Sequence, residues 1–197
     1  PLDATESLDT AGDGIGNIAD PDDVHDTLLD TAEVAAGTDP LDQDSDDDGV
    51  NDNLDAFPLN AAETLDTDID GIGNNTDTDD DGDGVNDGAD AFPLDATETL
   101  DTDGDGIGNN TDTDDDGDTL LDTAEIAAGT DPLDGDSDND GVNDNIDAFP
   151  LDAAETIDTD GDGTGNNADT DDDNDTLLDT AEIAAGTDPL DQDSDDD

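Results

Sequence analysis

Residues 101–112 read DTDGDGIGNNTD, and this twelve-residue stretch decides what kind of structure the chain forms. Its acidic residues stand at alternate positions, Asp101, Asp103 and Asp105, and a glycine, Gly106, follows them. Asp tolerates tight turns and glycine adopts left-handed backbone readily, so this order favours a loop that folds back around its own carboxylates. The stretch is predicted to be a closed acidic loop.

The same loop recurs along the chain at intervals of 13 or 22 residues. Its first residues are Asp9, Asp22, Asp44, Asp66, Asp79, Asp101, Asp114, Asp136, Asp158, Asp171 and Asp193. Ten loops are complete and the eleventh stops at Asp197. The larger repeat units are predicted to be 1–57, 58–92, 93–149 and a truncated 150–197. We expect one continuous tandem array that is a slice of a longer protein.

The composition excludes an ordinary globular domain. The 197 residues hold 59 Asp and 7 Glu but no Lys or Arg, for a net charge of -66, and only 17% are Leu, Ile, Val or Phe. Such a chain stays disordered unless something neutralises it. The absence of basic residues excludes a nucleic-acid footprint, the absence of Cys excludes disulfides, and no apolar run is long enough to enter a membrane. The sequence predicts a chain that either remains unfolded or binds many cations.

The loops have the ligand order of calcium loops, in which positions 1, 3, 5, 7, 9 and 12 supply oxygen and glycine at position 6 allows the turn. We expect one or two Ca²⁺ per loop, with extra carboxylates such as Asp47, Asp80, Asp115 and Asp172 available for a second ion. The candidate ligands, with a backbone carbonyl at position 7, are Asp9, Asp13, Asn17, Asp20, Asp22, Asp26, Asp30, Glu33, Asp44, Asp46, Asp48, Val50, Asp52, Asp55, Asp66, Asp68, Asp70, Ile72, Asn74, Asp77, Asp79, Asp81, Asp83, Val85, Asp87, Asp90, Asp101, Asp103, Asp105, Ile107, Asn109, Asp112, Asp114, Asp116, Asp118, Leu120, Asp122, Glu125, Asp136, Asp138, Asp140, Val142, Asp144, Asp147, Asp158, Asp160, Asp162, Thr164, Asn166, Asp169, Asp171, Asp173, Asp175, Leu177, Asp179, Glu182, Asp193, Asp195 and Asp197.

Three loops end in Glu instead of Asp and run into an Ala-rich stretch closed by glycine. Their last ligands are Glu33, Glu125 and Glu182. The pattern predicts a short helix with a glycine C-cap, from which the longer Glu can chelate with both oxygens. Position 6 of these loops is Thr instead of Gly, and a β-branched residue disfavours the turn expected there. In other loops, Ala-Phe-Pro-Leu follows, where Phe can cover a small apolar patch.

Strings such as DTDIDGIGNNTD (66–77) and DSDNDGVNDNID (136–147) resemble thrombospondin type 3 repeats. The resemblance implies a mostly irregular, Ca²⁺-stabilised repeat array with a few short helices and no conventional hydrophobic core. Eukaryotic members carry Cys at position 11, where this chain has residues such as Thr111 or Ile146. The sequence pattern of the loops is similar to that of Cys-free arrays on secreted and surface proteins of marine bacteria.

The first unit departs from the pattern. Ala11 and Val24 replace the position-3 aspartates, and His25 stands where a later unit has glycine. We expect the loops that start at Asp9 and Asp22 to be the weakest calcium sites or to be completed by water. His25 is interpreted as a solvated substitution without a catalytic or zinc role. Asn74 and Asn109 lie in glycosylation sequons but are interpreted as ligands.

The favoured function is an extracellular, calcium-rigidified stalk, spacer or filament of a bacterial surface adhesin or fibre. Its expected partners are calcium ions and, in a fibre, further copies of the chain. Loop–helix pieces such as 114–128 also resemble dockerin halves, so a protein-docking module is one alternative. An acidic calcium buffer or mineral-matrix protein is another. Carboxylate pairs occur everywhere without a core to form a cleft, so we do not expect an enzyme.

Overall fold

The computed structural model describes residues 8–194. Irregular loops and turns make up most of this range, and the regular elements in it are three seven-residue helices, α1 (Asp30–Ala36), α2 (Asp122–Ala128) and α3 (Asp179–Ala185). No strand occurs in the described range. The expected fold, an irregular repeat array with a few short helices, is confirmed.

Each helix ends where the sequence predicts, at a glycine. Gly37 follows α1 with φ of 94°, and its N–H donates to the carbonyl of Glu33 at 2.7 Å. Gly129 and Gly186 end α2 and α3 in the same way. A left-handed C-cap satisfies a terminal carbonyl at little steric cost only when the residue lacks a Cβ, which explains the glycine.

The interior is polar. Val24 is the one buried hydrophobic side chain between residues 8 and 194, whereas Glu33, Glu125, Glu182 and Asp173 are the largest side chains that are fully buried. Acids at these places exclude water where other proteins use apolar side chains. The prediction that no conventional hydrophobic core forms is therefore confirmed.

Small apolar contacts supplement this polar interior. Phe57 and Pro58 line a shallow hollow with Ala36 at the end of α1, and Phe149 and Pro150 form the equivalent surface beside α2. These contacts fit the prediction that Phe covers a small patch.

The chain divides into two compact units, Pro1–Thr99 and Leu100–Asp197. The first contains the loops that start at Asp9, Asp22, Asp44, Asp66 and Asp79, together with α1; the second contains the remaining five complete loops with α2 and α3. The predicted repeat boundaries at 57/58, 92/93 and 149/150 describe sequence periodicity and stay a prediction. No described helix has the length and apolarity needed to cross a membrane.

Candidate metal centres

Two left-handed residues shape every loop. Position 6 has positive φ in all ten loops, for example 92° at Gly106 and 101° at Gly141. Position 4 has positive φ in all ten as well, from 57° at His25 to 78° at Gly104. These two reversals curl the backbone so that the aspartates between them face inward. The sequence identified the turn at position 6 but not the one at position 4.

Thr at position 6 does not disturb the turn. Thr27, Thr119 and Thr176 take φ of 82–86°, a region that β-branched residues rarely adopt. The hydroxyls of two of them are used: Asn53 donates to Thr27 Oγ1 at 3.1 Å, and Asn145 donates to Thr119 Oγ1 at 2.9 Å. The threonine thus links its loop to the loop 22 residues further along. This hydrogen bond explains why a threonine occupies a position with a strained backbone.

One oxygen of the aspartates at positions 3 and 5 is held by the backbone. The position-5 carboxylate accepts from the position-7 N–H in all ten loops at 2.6–2.9 Å. The position-3 carboxylate accepts from the position-5 N–H in the eight loops that have an Asp there, at 2.9–3.3 Å. These bonds orient the side chains and leave the second oxygen of each for another partner.

The first three ligand positions converge. In the loops that start at Asp44, Asp66, Asp79 and Asp101, carboxylate oxygens from positions 1, 3 and 5 lie within 4.8 Å of one another. Three negative charges at this separation repel strongly unless a cation lies between them. The structure therefore brings together the residues that the spacing selected.

Many of the second carboxylate oxygens are buried and accept no hydrogen bond within the described part of the chain. They belong to position 3 in six loops and to position 12 in the loops that end at Asp55, Asp90 and Asp147, among others. A buried carboxylate oxygen without a donor is costly, and a chain without Lys or Arg cannot supply an ammonium or guanidinium partner. Oxygen ligands without donors are the set that a hard divalent cation such as Ca²⁺ requires, so the residues fit the metal.

The glutamates of the three helices are the most completely buried of these candidate ligands. Glu33 and Glu125 are 0% exposed, and neither oxygen of either side chain accepts a hydrogen bond in the described structure. Burial raises the pKa of Glu33 to about 7, with further contributions from Asp26 and Asp30. Burial, followed by the charge of Asp116, raises the pKa of Glu125 to about 7. The pKa of Glu182 is also raised, by burial first and then by the charge of Asp173.

Position 3 shows the same effect among the aspartates. Burial raises the pKa values of Asp81, Asp116 and Asp138, and neighbouring carboxylates in their own loops raise them further. Without a cation, these sites resist holding their full negative charge.

The residue at position 9 makes hydrogen bonds within the loop that the sequence did not predict. Its side-chain oxygen accepts from the N–H of position 2 in all ten loops at 2.9–3.0 Å. Its own N–H donates to the carbonyl of the residue before the loop, as Asn109 does to Leu100 at 2.9 Å. Through these two hydrogen bonds, position 9 joins the end of the loop to its beginning. Metal ligation by Asn17, Asn74, Asn109 or Asn166 remains a prediction.

Position 12 links consecutive loops. Asp112 accepts from the N–H groups of Thr113 and Asp114 at 2.6 and 3.1 Å, so the last ligand of one loop fixes the start of the next. This contact supports the expectation that loops 13 residues apart are coupled.

Three buried glutamates outside the loops were missed. Glu63, Glu98 and Glu155 lie in the linkers before the loops and are 3%, 4% and 7% exposed. Glu63 accepts from the N–H of Asn75 at 2.9 Å, and its side chain lies so close to Gly73 that a Cβ there would meet its Oε2 at 2.2 Å. Glu155 makes the same contacts with Asn167 and Gly165. A Glu that recurs five residues after Pro58, Pro93 and Pro150 was the available signal.

Several predicted ligands stay predictions. Asp195 and Asp197 lie outside the described residues. The position-7 carbonyls of residues such as Val50 and Ile72 follow the same turn, and their role as ligands is proposed rather than observed.

Three segments of the chain match the bacterial TSP3 repeat, at residues 28–43, 114–135 and 171–192. Each segment contains one of the three helices. These segments are thrombospondin type 3 repeats of the bacterial kind, as the resemblance implied. No curated protein matches the chain.

The matched class consists of calcium-binding structural modules, which agrees with the acidic clusters in the described loops that could hold a metal ion. The Asp-ended loops between the matched segments share two features with the loops that start at Asp22, Asp114 and Asp171: the two left-handed turns and the hydrogen bond between positions 2 and 9.

Proposed function

We propose that the chain is a calcium-folded array that acts as a stiff extracellular stalk or spacer, holding another part of a bacterial surface or secreted protein at a distance. The observation that carries this proposal is the set of buried carboxylate oxygens without donors, above all both oxygens of Glu33 and of Glu125. They make sense only if divalent cations occupy the loops and take the place of a core.

The donor chemistry supports calcium as the ion. Apart from His25, the candidate ligands are carboxylates, amide oxygens and backbone carbonyls. Calcium accepts six to eight oxygens in flexible geometry, whereas transition ions favour nitrogen or sulfur. Sodium carries half the charge and does not replace it.

The pattern of hydrogen bonds supports a spacer. Asn145 N–H donates to Asp118 Oδ2 at 3.1 Å and Gln43 Nε2 donates to the Val24 carbonyl at 2.5 Å, which join residues 27 and 19 apart in sequence. Each loop is thus stabilised by its neighbours in the chain. In such arrays the number of repeats sets the length, since no repeat depends on a distant one.

An extracellular location follows as part of the proposal. Loops with many carboxylates in a chain of charge -66 repel one another, so occupying all of them takes an ample supply of calcium. Extracellular calcium modules work at about 10⁻⁴–10⁻³ M.

Small-angle scattering in calcium and in chelator tests the proposal. A version with the unit 93–149 duplicated should be longer than the original chain by one fixed increment in calcium, and both should expand into flexible coils in chelator. Disorder at saturating calcium would instead favour the acidic buffer or mineral-matrix function. An ordered chain whose largest dimension does not grow with the added unit would exclude the spacer.

A further inference from the structure

The single histidine of the chain lies among predicted metal ligands. His25 Nε2 is 3.6 Å from Asp13 Oδ2 and 3.7 Å from Asp20 Oδ2, and one ligand atom from each of the three lies within 4.8 Å of the others. The Asp20 side chain is 6% exposed, whereas that of His25 is 46% exposed and open to ions from solvent. The exposure of His25 agrees with the expected solvated substitution, but the side chain also lies beside two carboxylates that the sequence did not connect with it.

The geometry of later units explains how His25 reaches this place. Gly117 aligns with His25, and a Cβ on Gly117 would meet Asp103 Oδ2 at 2.8 Å and Asp103 Cβ at 3.0 Å. Position 4 of the second loop in a 13-residue pair therefore points at the position-3 carboxylate of the first loop. In the first unit, position 3 is Ala11, which has no carboxylate. The imidazole of His25 enters the ligand set from the side where that aspartate is missing.

The distances are compatible with a shared metal ion. Separations of 3.6 and 3.7 Å are too long for N–H···O hydrogen bonds and lie within ion-pair range of a protonated imidazole, which a metal bound by the neutral imidazole would replace. Two ligand atoms bound tetrahedrally to one Zn²⁺ at 2.0–2.2 Å lie about 3.4 Å apart. His25 Nε2 is thus placed close to where a common metal would hold it against both carboxylates.

We propose that Asp13, Asp20 and His25 form a mixed nitrogen–oxygen site for a first-row transition ion such as Zn²⁺. Imidazole is a preferred ligand of Zn²⁺ and its neighbours in the series, whereas the other loops offer the oxygen that Ca²⁺ prefers. Ala11 stands in place of an Asp and His25 in place of a Gly. These two differences change the metal preference of one loop and leave the array otherwise unchanged. The first loop is then a selective site within a calcium-filled chain.

Titration of the full chain with Zn²⁺ at saturating Ca²⁺ tests this proposal. Because the chain has one histidine, its imidazole ¹⁵N signals report on this site alone. The Nε2 signal should shift and saturate at one equivalent of Zn²⁺. An imidazole spectrum that does not respond to Zn²⁺, or that responds equally to Ca²⁺ alone, would overturn the site.

Two variants serve as controls. His25→Asn keeps a residue that the fold accepts at this position, since Asn174 has φ of 59° at the equivalent place and His25 has 57°. It should weaken Zn²⁺ binding, measured by competition with a chromogenic indicator, on the order of tenfold or more. The double variant Ala11→Asp/His25→Gly restores the Asp103–Gly117 arrangement and should exchange the Zn²⁺ site for an additional Ca²⁺ site. Unchanged Zn²⁺ affinity in both variants would contradict the proposal while leaving the calcium array intact.

Discussion

Asn145 donates its side-chain N–H to the hydroxyl of Thr119, 26 residues earlier, at 2.9 Å. Thr119 holds φ of 82° at a turn where most loops have glycine. The strained residue is retained where its hydroxyl joins one loop to another, so a local cost is offset by contact between repeats.

Thr119→Val removes this hydroxyl and keeps the branched shape. We expect the calcium-loaded second unit to lose about 1 kcal/mol of unfolding free energy, because one hydrogen bond is lost and the strain stays. Denaturant unfolding at saturating calcium measures this loss. Thr113→Val, at an exposed position, is the control and should change little. Equal effects of the two variants would show that the hydroxyl of Thr119 does not link the loops.

Ile69→Gly should stabilise the chain. Ile69 is 85% exposed and sits at position 4 with φ of 65°, which is strained for a β-branched side chain. Releasing this strain should gain about 1 kcal/mol, reduced somewhat by the greater freedom of glycine in the unfolded state. Ile146→Gly is the matched control, since Ile146 is 73% exposed without positive φ and should not gain. A destabilised Ile69→Gly chain would mean that the side chain, not the backbone, matters there.

The loops and the helix ends could be predicted from the sequence, whereas one turn and several contacts between loops could not. The spacing of Asp and Gly predicted the loops, the helix ends at residues such as Gly129 and the inward aspartates, because turn chemistry is local. The turn at position 4 was missed because Gly, Asn, Asp, His and Ile all occupy it, so no single residue type marks it. The contacts of Glu63 and His25 were missed because their partners lie in another loop, the following one for Glu63 and the preceding one for His25, and only the folded path brings them together.

Glu125→Gln should impair one calcium site strongly. Both Glu125 oxygens are buried without donors, and an amide supplies one weaker oxygen and an N–H₂ that points toward the cation. We expect the calcium needed to fill this loop to rise roughly tenfold or more, since a bidentate anionic ligand is lost. Calorimetric calcium titration checks this, with exposed Asp134→Asn as a control of equal charge change. The same calcium affinity in both variants would remove Glu125 from the ligand set.

Calcium binding should release protons below about pH 7. The pKa values of Glu33 and Glu125 are raised from 4.5 to about 7 where their loops are folded but empty, as in a chain that calcium has only partly filled, so their protonated forms favour the empty loop at low pH, and this contribution is lost as pH rises through 7. Calcium must displace these protons, so its affinity should increase with pH up to about 7 and then level off. Calorimetry in two buffers of different ionisation enthalpy should detect released protons at about pH 6 and few at about pH 8.5. Calcium affinity that does not depend on pH over this range would contradict the burial of these carboxyls.

The ¹H–¹⁵N spectrum of the full chain, recorded first in calcium and then after exhaustive dialysis against chelator at constant NaCl, tests most directly whether divalent ions replace the core. The account predicts well-dispersed amide signals in calcium, collapse to the narrow range of an unfolded chain without it, and recovery on adding calcium but not more sodium. Amide signals that stay equally dispersed after chelation would show that the aspartate loops fold without metal, and would contradict the central claim.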